Sequence, residues 1–175
     1  MESVALDILV LTKDELLSYK ESIDLFLASI FDSQVQIDIS QELHCGALIR
    51  HGNEIVACGF AYVRTMSQGE YLFTAAILGA IAVSKKHRGK GLCKNILAQL
   101  EEQLKMATVS HVFLFAYQPK TYQSTGYALL DAPINYFDKT QQKWNTFVYR
   151  GGMTKALGER QLNKKQKIEF QGCVY

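Results

Sequence analysis

Proline is nearly missing from this 175-residue chain, which has two. Together with the absence of any low-complexity tract, this excludes a disordered segment or a long linker. The four cysteines, Cys45, Cys58, Cys93 and Cys173, form no Cys-x-x-Cys pair and have no histidine at zinc-ligand spacing. That argues against a structural metal and for free thiols in a reducing compartment. The longest apolar run, YLFTAAILGAIAV over 71–83, falls short of the ~18–20 residues a membrane helix needs. The Met1-Glu2-Ser3 start lacks the basic and apolar regions of a signal peptide. A formal net charge of +2 gives no global reason for a nucleic-acid or membrane partner. These absences predict a cytoplasmic protein without metal, in which any charged site is local.

What is present is a core. Hydrophobic residues make up 48% of the chain and charged ones 21%, so the composition predicts one soluble globular domain over residues 1–175. LDILVLT (6–12) reads as a strand, and Thr12 with Glu15 forms a capping box for a helix over about 13–31. HCGALIRHG (44–52), EIVACGFAYVRTM (54–66) and the run 71–83 follow at hairpin spacing, an antiparallel meander. The third of these strands is apolar throughout, which predicts cover on both faces. Leu92, Ile96, Leu100 and Leu104 then mark an amphipathic helix. HVFLFAY (111–117) is a buried strand after it, and such a crossover favours parallel pairing. A short helix near Thr121–Thr125 and strands near 127–137, 144–150 and 167–175 complete a mixed α/β sheet.

The charge is concentrated at one junction. In VSKKHRGKGLCKNIL (83–97), Lys85, Lys86, Arg88, Lys90 and Lys94 surround Gly89 and Gly91, between the buried strand and the amphipathic helix. The first amides of a helix lack intrahelical partners and carry the positive end of its dipole, which suits a phosphate. Two phosphate loops are excluded. The P-loop pattern G-x-x-x-x-G-K-[ST] is absent, and Gly89-x-Gly91 lacks the third glycine of a dinucleotide fingerprint because Lys94 stands there.

A third pattern fits. Arg88-Gly89-Lys90-Gly91-Leu92-Cys93 resembles the [RQ]-x-x-G-x-[GA] signature of the GCN5-related N-acetyltransferases (GNAT), matching at Arg88 and Gly91 and departing at Cys93. Tyr122, Gly126 and Tyr127 in PKTYQSTGY resemble the Y-x-x-x-G-[FY] segment of that family, so the likeness covers about residues 71–127. Within the family the run from ELHCGALIRHG to LGAIAV is most similar to aminoglycoside 2'-N-acetyltransferases and related small-molecule enzymes. The resemblance implies the acyl-CoA N-acyltransferase fold, with a splay between the fourth and fifth strands, and acetyl-CoA as cofactor. It implies that Ile81, Ala82 and Val83 offer backbone groups to the pantetheine, that amides from Arg88 through Gly89, Lys90, Gly91 and Leu92 to Cys93 hold the pyrophosphate, and that Lys85, Lys86 or Lys90 meets the 3'-phosphate. The reaction implied is direct attack of a small-molecule amine on the thioester, with Tyr122 as the acid for the leaving thiolate.

The base is a gap. Relatives often carry a glutamate on the strand equivalent to 71–83, and here Ile77 and Gly79 occupy the equivalent places. Glu70 or His44 through a water, or an acceptor that arrives neutral, would fill the role; His44 on an apolar strand also reads as a core histidine. Asp32, Asp38, Glu42, Asp131 and Asp138 suit a cationic acceptor or simply keep loops soluble, and the Tyr175 end is expected near the acceptor by similarity. The missing acid also admits a CoA-binding regulator without catalysis, or an interaction domain with an exposed basic turn. A monomer and a homodimer are equally compatible with the sequence.

Overall fold

The structure, a computed structural model, describes residues 4–31 and 35–175. In chain order the elements are β1 (Leu6–Thr12), α1 (Lys13–Leu17), α2 (Lys20–Ile30), β2 (Leu43–His51), β3 (Glu54–Gln68) and β4 (Tyr71–Val83), then α3 (Leu92–Met106), β5 (His111–Phe115) and α4 (Lys120–Gln123). Five short strands follow: β6 (Ala128–Leu129), β7 (Ile134–Asp138), β8 (Lys143–Phe147), β9 (Gly152–Ala156) and β10 (Ile168–Glu169). The result is the mixed α/β sheet with flanking helices that the sequence predicts. The chain forms two compact units, Met1–Tyr62 with Gly79–Gln103, and Val63–Leu78 with Leu104–Tyr175.

In the first unit β1 pairs antiparallel with β2, and β2 with β3. The capping box forms: the Glu15 carboxylate accepts from the Thr12 amide at 2.7 Å and Thr12 Oγ1 accepts from the Glu15 amide at 3.4 Å. The predicted single helix over 13–31 is instead two. Ser18 Oγ donates to the Glu15 carbonyl at 2.8 Å, competing with the helical ladder and ending α1 after Leu17. A Cβ on Gly46 would meet Phe60 and Leu16, whereas one on Gly59 would meet Ile96 at 2.6 Å. Phe60 and Gly59 are neighbours on a strand and face opposite ways, so α1 and α3 cover opposite faces of β3.

In the second unit β4 runs parallel to β5, as the crossover predicts, and β5 is antiparallel to β9. At the far side β3 pairs with β10, β10 with β7, and β7 with β8. This unit packs round a core that holds Met66, Phe73, Ile77, Phe113, Ile134, Tyr136, Ile168 and Phe170. Sequence reading gave two strands where β6, β7 and β8 stand and missed β9. The reason is the glycine pair at its start: a Cβ on Gly151 would lie 2.1 Å from the Ala116 carbonyl oxygen, so the glycine permits close backbone approach where composition suggests a break. The final segment is held by Arg64, which donates to the carbonyls of Cys173 at 2.6 Å and Phe170 at 3.3 Å.

His111 opens β5 at 1% exposure, with Tyr71 Oη 3.2 Å from its Nε2 and the Phe73 ring 4.9 Å away. Burial first, and the charge of Arg160 second, hold its pKa below the ordinary histidine value. The unfolded chain therefore binds a proton near pH ~6.5 that the folded chain resists. Stability is full above that pH and falls as pH drops through it toward the lower folded value. Thermal melts between pH 7.5 and 5 should show a declining Tm, and His111→Gln should flatten the decline.

Candidate active site

The basic junction is built from the end of β4, a tight turn and a helix start, and from Gly79 onward it belongs to the first unit. β4 is continuously buried over Ala75–Gly79. Its pairing with β5 spans Ala75–Ile77 only, so the ladder ends six residues before the strand does, as the expected splay requires. Ala80 then adopts φ +50°, a left-handed backbone that is costly for a residue with a Cβ, on the order of 1–3 kcal/mol. The Cys58 thiol donates to the Ala80 carbonyl at 3.3 Å, and burial pushes that thiol far up, so it stays a protonated donor. The bend is thus braced from β3.

Past Val83 the chain makes a single 3-10 turn over Lys85–His87. Ser84 anchors it, with its amide on the Val56 carbonyl at 2.8 Å and its hydroxyl 2.6 Å from His87 Nδ1. Arg88 Nε donates to the Val83 carbonyl at 3.2 Å, closing the turn back onto the strand end. Gly89 and Gly91 follow at φ +74° and +77°, and no heavy atom lies within 4 Å of where either Cβ would stand. α3 starts at Leu92, which is buried and fixes the helix on the core, while Cys93 is half-buried and Lys90 exposed. Open space over two left-handed glycines, at the positive end of the α3 dipole, could take the diphosphate of a nucleotide thioester. Ile81, Ala82, Val83, Arg88, Gly89, Lys90, Gly91, Leu92 and Cys93 therefore fall on one continuous strand-turn-helix segment.

Tyr122 belongs to the second unit, on α4, half-buried with its ring 6.4 Å from that of Tyr127. Its carbonyl accepts from the Thr125 amide at 3.0 Å and hydroxyl at 2.7 Å, which ends the helix ahead of Gly126 at φ +94°. The candidate bases fare less well. His44 is exposed on β2, so it is not the core histidine of the sequence reading. Glu70 is exposed in the turn before β4, seven residues from the last β5 rung at Ile77, about 23 Å along an extended strand. Asp138 accepts the amides of Thr140 and Gln141, both at 2.9 Å, and so shapes the β7–β8 turn. Asp131 is exposed, Asp38 and Glu42 are half-buried, and Asp32 lies outside the described residues. Among the described residues no group of acidic, histidine and cysteine side chains could hold a metal, and no helix is long and apolar enough to cross a membrane.

Fold and junction together define a CoA-dependent N-acyltransferase. The sequence pattern of the acetyltransferase (GNAT) domain matches residues 40–130, more than half of the chain, and the protein belongs to that family. Among solved structures, the GNAT family N-acetyltransferase YhbS from Escherichia coli, in complex with CoA, superposes with a TM-score of 0.67 at 17% identity, covering 94% of this chain and 90% of that one. Escherichia coli ElaA gives 0.59 at 18% identity over 86% and 99%. The aminoglycoside acetyltransferase HMB0005 from an uncultured soil metagenomic sample gives 0.55 at 18% identity over 70% and 91%. At these identities the structures show the shared fold. No curated protein sequence matches the chain.

The junction makes a direct prediction. Gly91→Ala introduces no clash but forces a Cβ into a left-handed backbone, a strain of about 1–2 kcal/mol. Calorimetric titration should show acetyl-CoA binding weakened about tenfold or more, while the denaturation midpoint falls only slightly.

Proposed function

We propose that the whole chain acts as one acetyl-CoA-dependent N-acetyltransferase domain on a primary amine of a small molecule, by direct attack of the neutral amine. The observation that carries the reading is the pair of open left-handed glycines between a braced strand end and the start of α3. In this reading the amides from Arg88 to Cys93 hold the diphosphate. Arg88 keeps the turn closed through Val83, and Lys85, Lys86 and Lys90 supply the attracting field, with a 3'-phosphate as the partner of one of them. Backbone groups of Ile81, Ala82 and Val83 align the pantetheine arm as a neighbouring strand would be aligned. The bound thioester supplies the activated acetyl group.

Alignment is the main resource, since holding two reactants in line supplies about 7–11 kcal/mol of the barrier. A backbone amide near the end of β4 would stabilise the oxygen that gains charge, by about 2.7–4 kcal/mol. Tyr122 gives its proton to the departing thiolate; a phenol near pKa ~10 and a thiol near ~8.5 are close enough for the transfer. β4 carries no carboxylate or imidazole, so the amine has to lose its proton before it attacks. The missing base favours one alternative, a CoA-binding regulator, in which acetyl-CoA binds and no amine releases thiol.

Two measurements test the mechanism. Tyr122→Phe should lower kcat about 100-fold with acetyl-CoA affinity nearly unchanged; equal turnover removes Tyr122 from the reaction. With no internal base, kcat/KM should rise about tenfold per pH unit up to the pKa of the acceptor amine itself, and a plateau well below that pKa would reveal a protein base.

A further inference from the structure

His87 carries the single ring of the basic turn, and Ser84 fixes it at two points. The His87 amide donates to the Ser84 carbonyl at 2.9 Å, and its Nδ1 lies 2.6 Å from the Ser84 hydroxyl. Ser84 in turn hangs on β3, its amide donating to the Val56 carbonyl at 2.8 Å. A serine hydroxyl donates to a bare ring nitrogen and accepts from a protonated one, so this contact survives either state of the imidazole. Protonating His87 therefore adds a charge to the turn without undoing its shape.

The neighbours decide where a counter-charge can come from. Lys85, Lys86, Arg88 and Lys90 share the turn with His87, and Lys94 is exposed on the first turn of α3. From β2 the exposed His51 ring stands 5.6 Å away, edge to face at 64°. Glu54 on β3 is the register partner of His51, and the Asp7 carboxylate of β1 is taken by Arg50 at 2.7 Å. The corner is rich in cations and poor in carboxylates. An anion seated over the glycines would change that balance, since the His87 and Gly89 Cα atoms are at most about 7 Å apart, within a Debye length of about 8 Å. A nearby anion favours the charged form of a histidine. An ordinary lysine keeps its proton throughout the neutral range, so the imidazole is the group able to respond.

We propose that His87 takes up a proton when acetyl-CoA binds, so that the site holds its diphosphate more tightly as pH falls from 8 to 6. This rests on the acetyltransferase reading above. The proton comes from the buffer, the ring gains one positive charge, and no other bond is made or broken. The sign follows from linkage: the bound state carries more protons than the free one, so acid favours binding.

Calorimetric titration in buffers of different ionisation enthalpy counts the protons. Dephospho-CoA is the probe, because it keeps the diphosphate and lacks a 3'-phosphate, which itself titrates near pH ~6. Wild type at pH 7 should take up about 0.3 proton per site, and affinity should rise about fourfold from pH 8 to pH 6. His87→Gln should abolish the uptake and flatten the pH dependence, while His51→Gln keeps most of both. In the wild type, NMR titration of the His87 ring should show its midpoint moving up when acetyl-CoA is added, so a variant that fails to fold does not decide the matter. Binding without proton uptake, or an unmoved His87 midpoint, overturns the proposal and leaves the acetyltransferase standing. Uptake that persists in His87→Gln and disappears in His51→Gln gives the proton to His51 and also overturns it. Absence of acetyl-CoA binding in the wild type removes both readings.

Discussion

Left-handed backbone at three places, Ala80, Gly89 and Gly91, is the constraint on which the candidate site depends. A buried strand has its amides and carbonyls committed to neighbours, and a helix has them committed to itself; only the passage between the two leaves main-chain groups for a ligand. The two glycines adopt that geometry without a Cβ penalty. Ala80 does not, and its carbonyl is held by the Cys58 thiol from β3. Strain stored there is small beside the whole fold but falls where β4 has already left its β5 partner.

That arrangement explains why the centre of the chain was legible from sequence and the edges were not. The run 71–83 and the stripe from Leu92 to Leu104 have unambiguous periods, and the structure places β4 and α3 at the predicted starts. The turn between them was readable because glycine and cationic residues have few other reasons to cluster there. Elsewhere the determining interactions are distant or local in a way periodicity does not register. Ser18 ends α1 through a hydroxyl-to-carbonyl bond that no hydrophobic pattern announces. β9 is invisible because Gly151, just before it, answers to Ala116, thirty-five positions earlier in the chain. His44 looked like a core residue since its strand is apolar, yet it falls on the exposed side where the β2–β3 register shifts between Leu43 and Cys45.

A ring cluster in the second unit, in which Tyr149 lies 4.6 Å from Phe115, 5.7 Å from Phe147 and 5.5 Å from Tyr136, illustrates the same limit more sharply. Phe115, Tyr136, Phe147 and Tyr149 come from β5, β7, β8 and the residues just after it, and no spacing in the sequence relates the first to the rest. Each alone reads as a core aromatic on a strand. Only the register of the β7–β8 hairpin, with Ile134 opposite Phe147 and Tyr136 opposite Asn145, puts three of them on one face. The acidic residues behaved in the opposite way. Asp138 attracted notice in the sequence as a partner for a cation, and folding gives it the amides of its own turn.

The division of labour at the basic junction follows from how each group responds to water. Lys85, Lys86 and Lys90 are exposed, so their attraction for an anion is screened over a Debye length of about 8 Å at physiological salt. Main-chain amides act at hydrogen-bond distance, where screening has little purchase, and their geometry is fixed by the glycines rather than by side-chain rotamers. Arg88 sits between these roles: its Nε is tied to the Val83 carbonyl, so its charge is held at the turn instead of sweeping through solvent. Salt should therefore weaken the approach of a nucleotide thioester more than the hold on it once seated. In the proposed reading the lysines would gather the ligand toward a site whose grip comes from backbone, a local concentration of charge in a chain whose net charge is only +2.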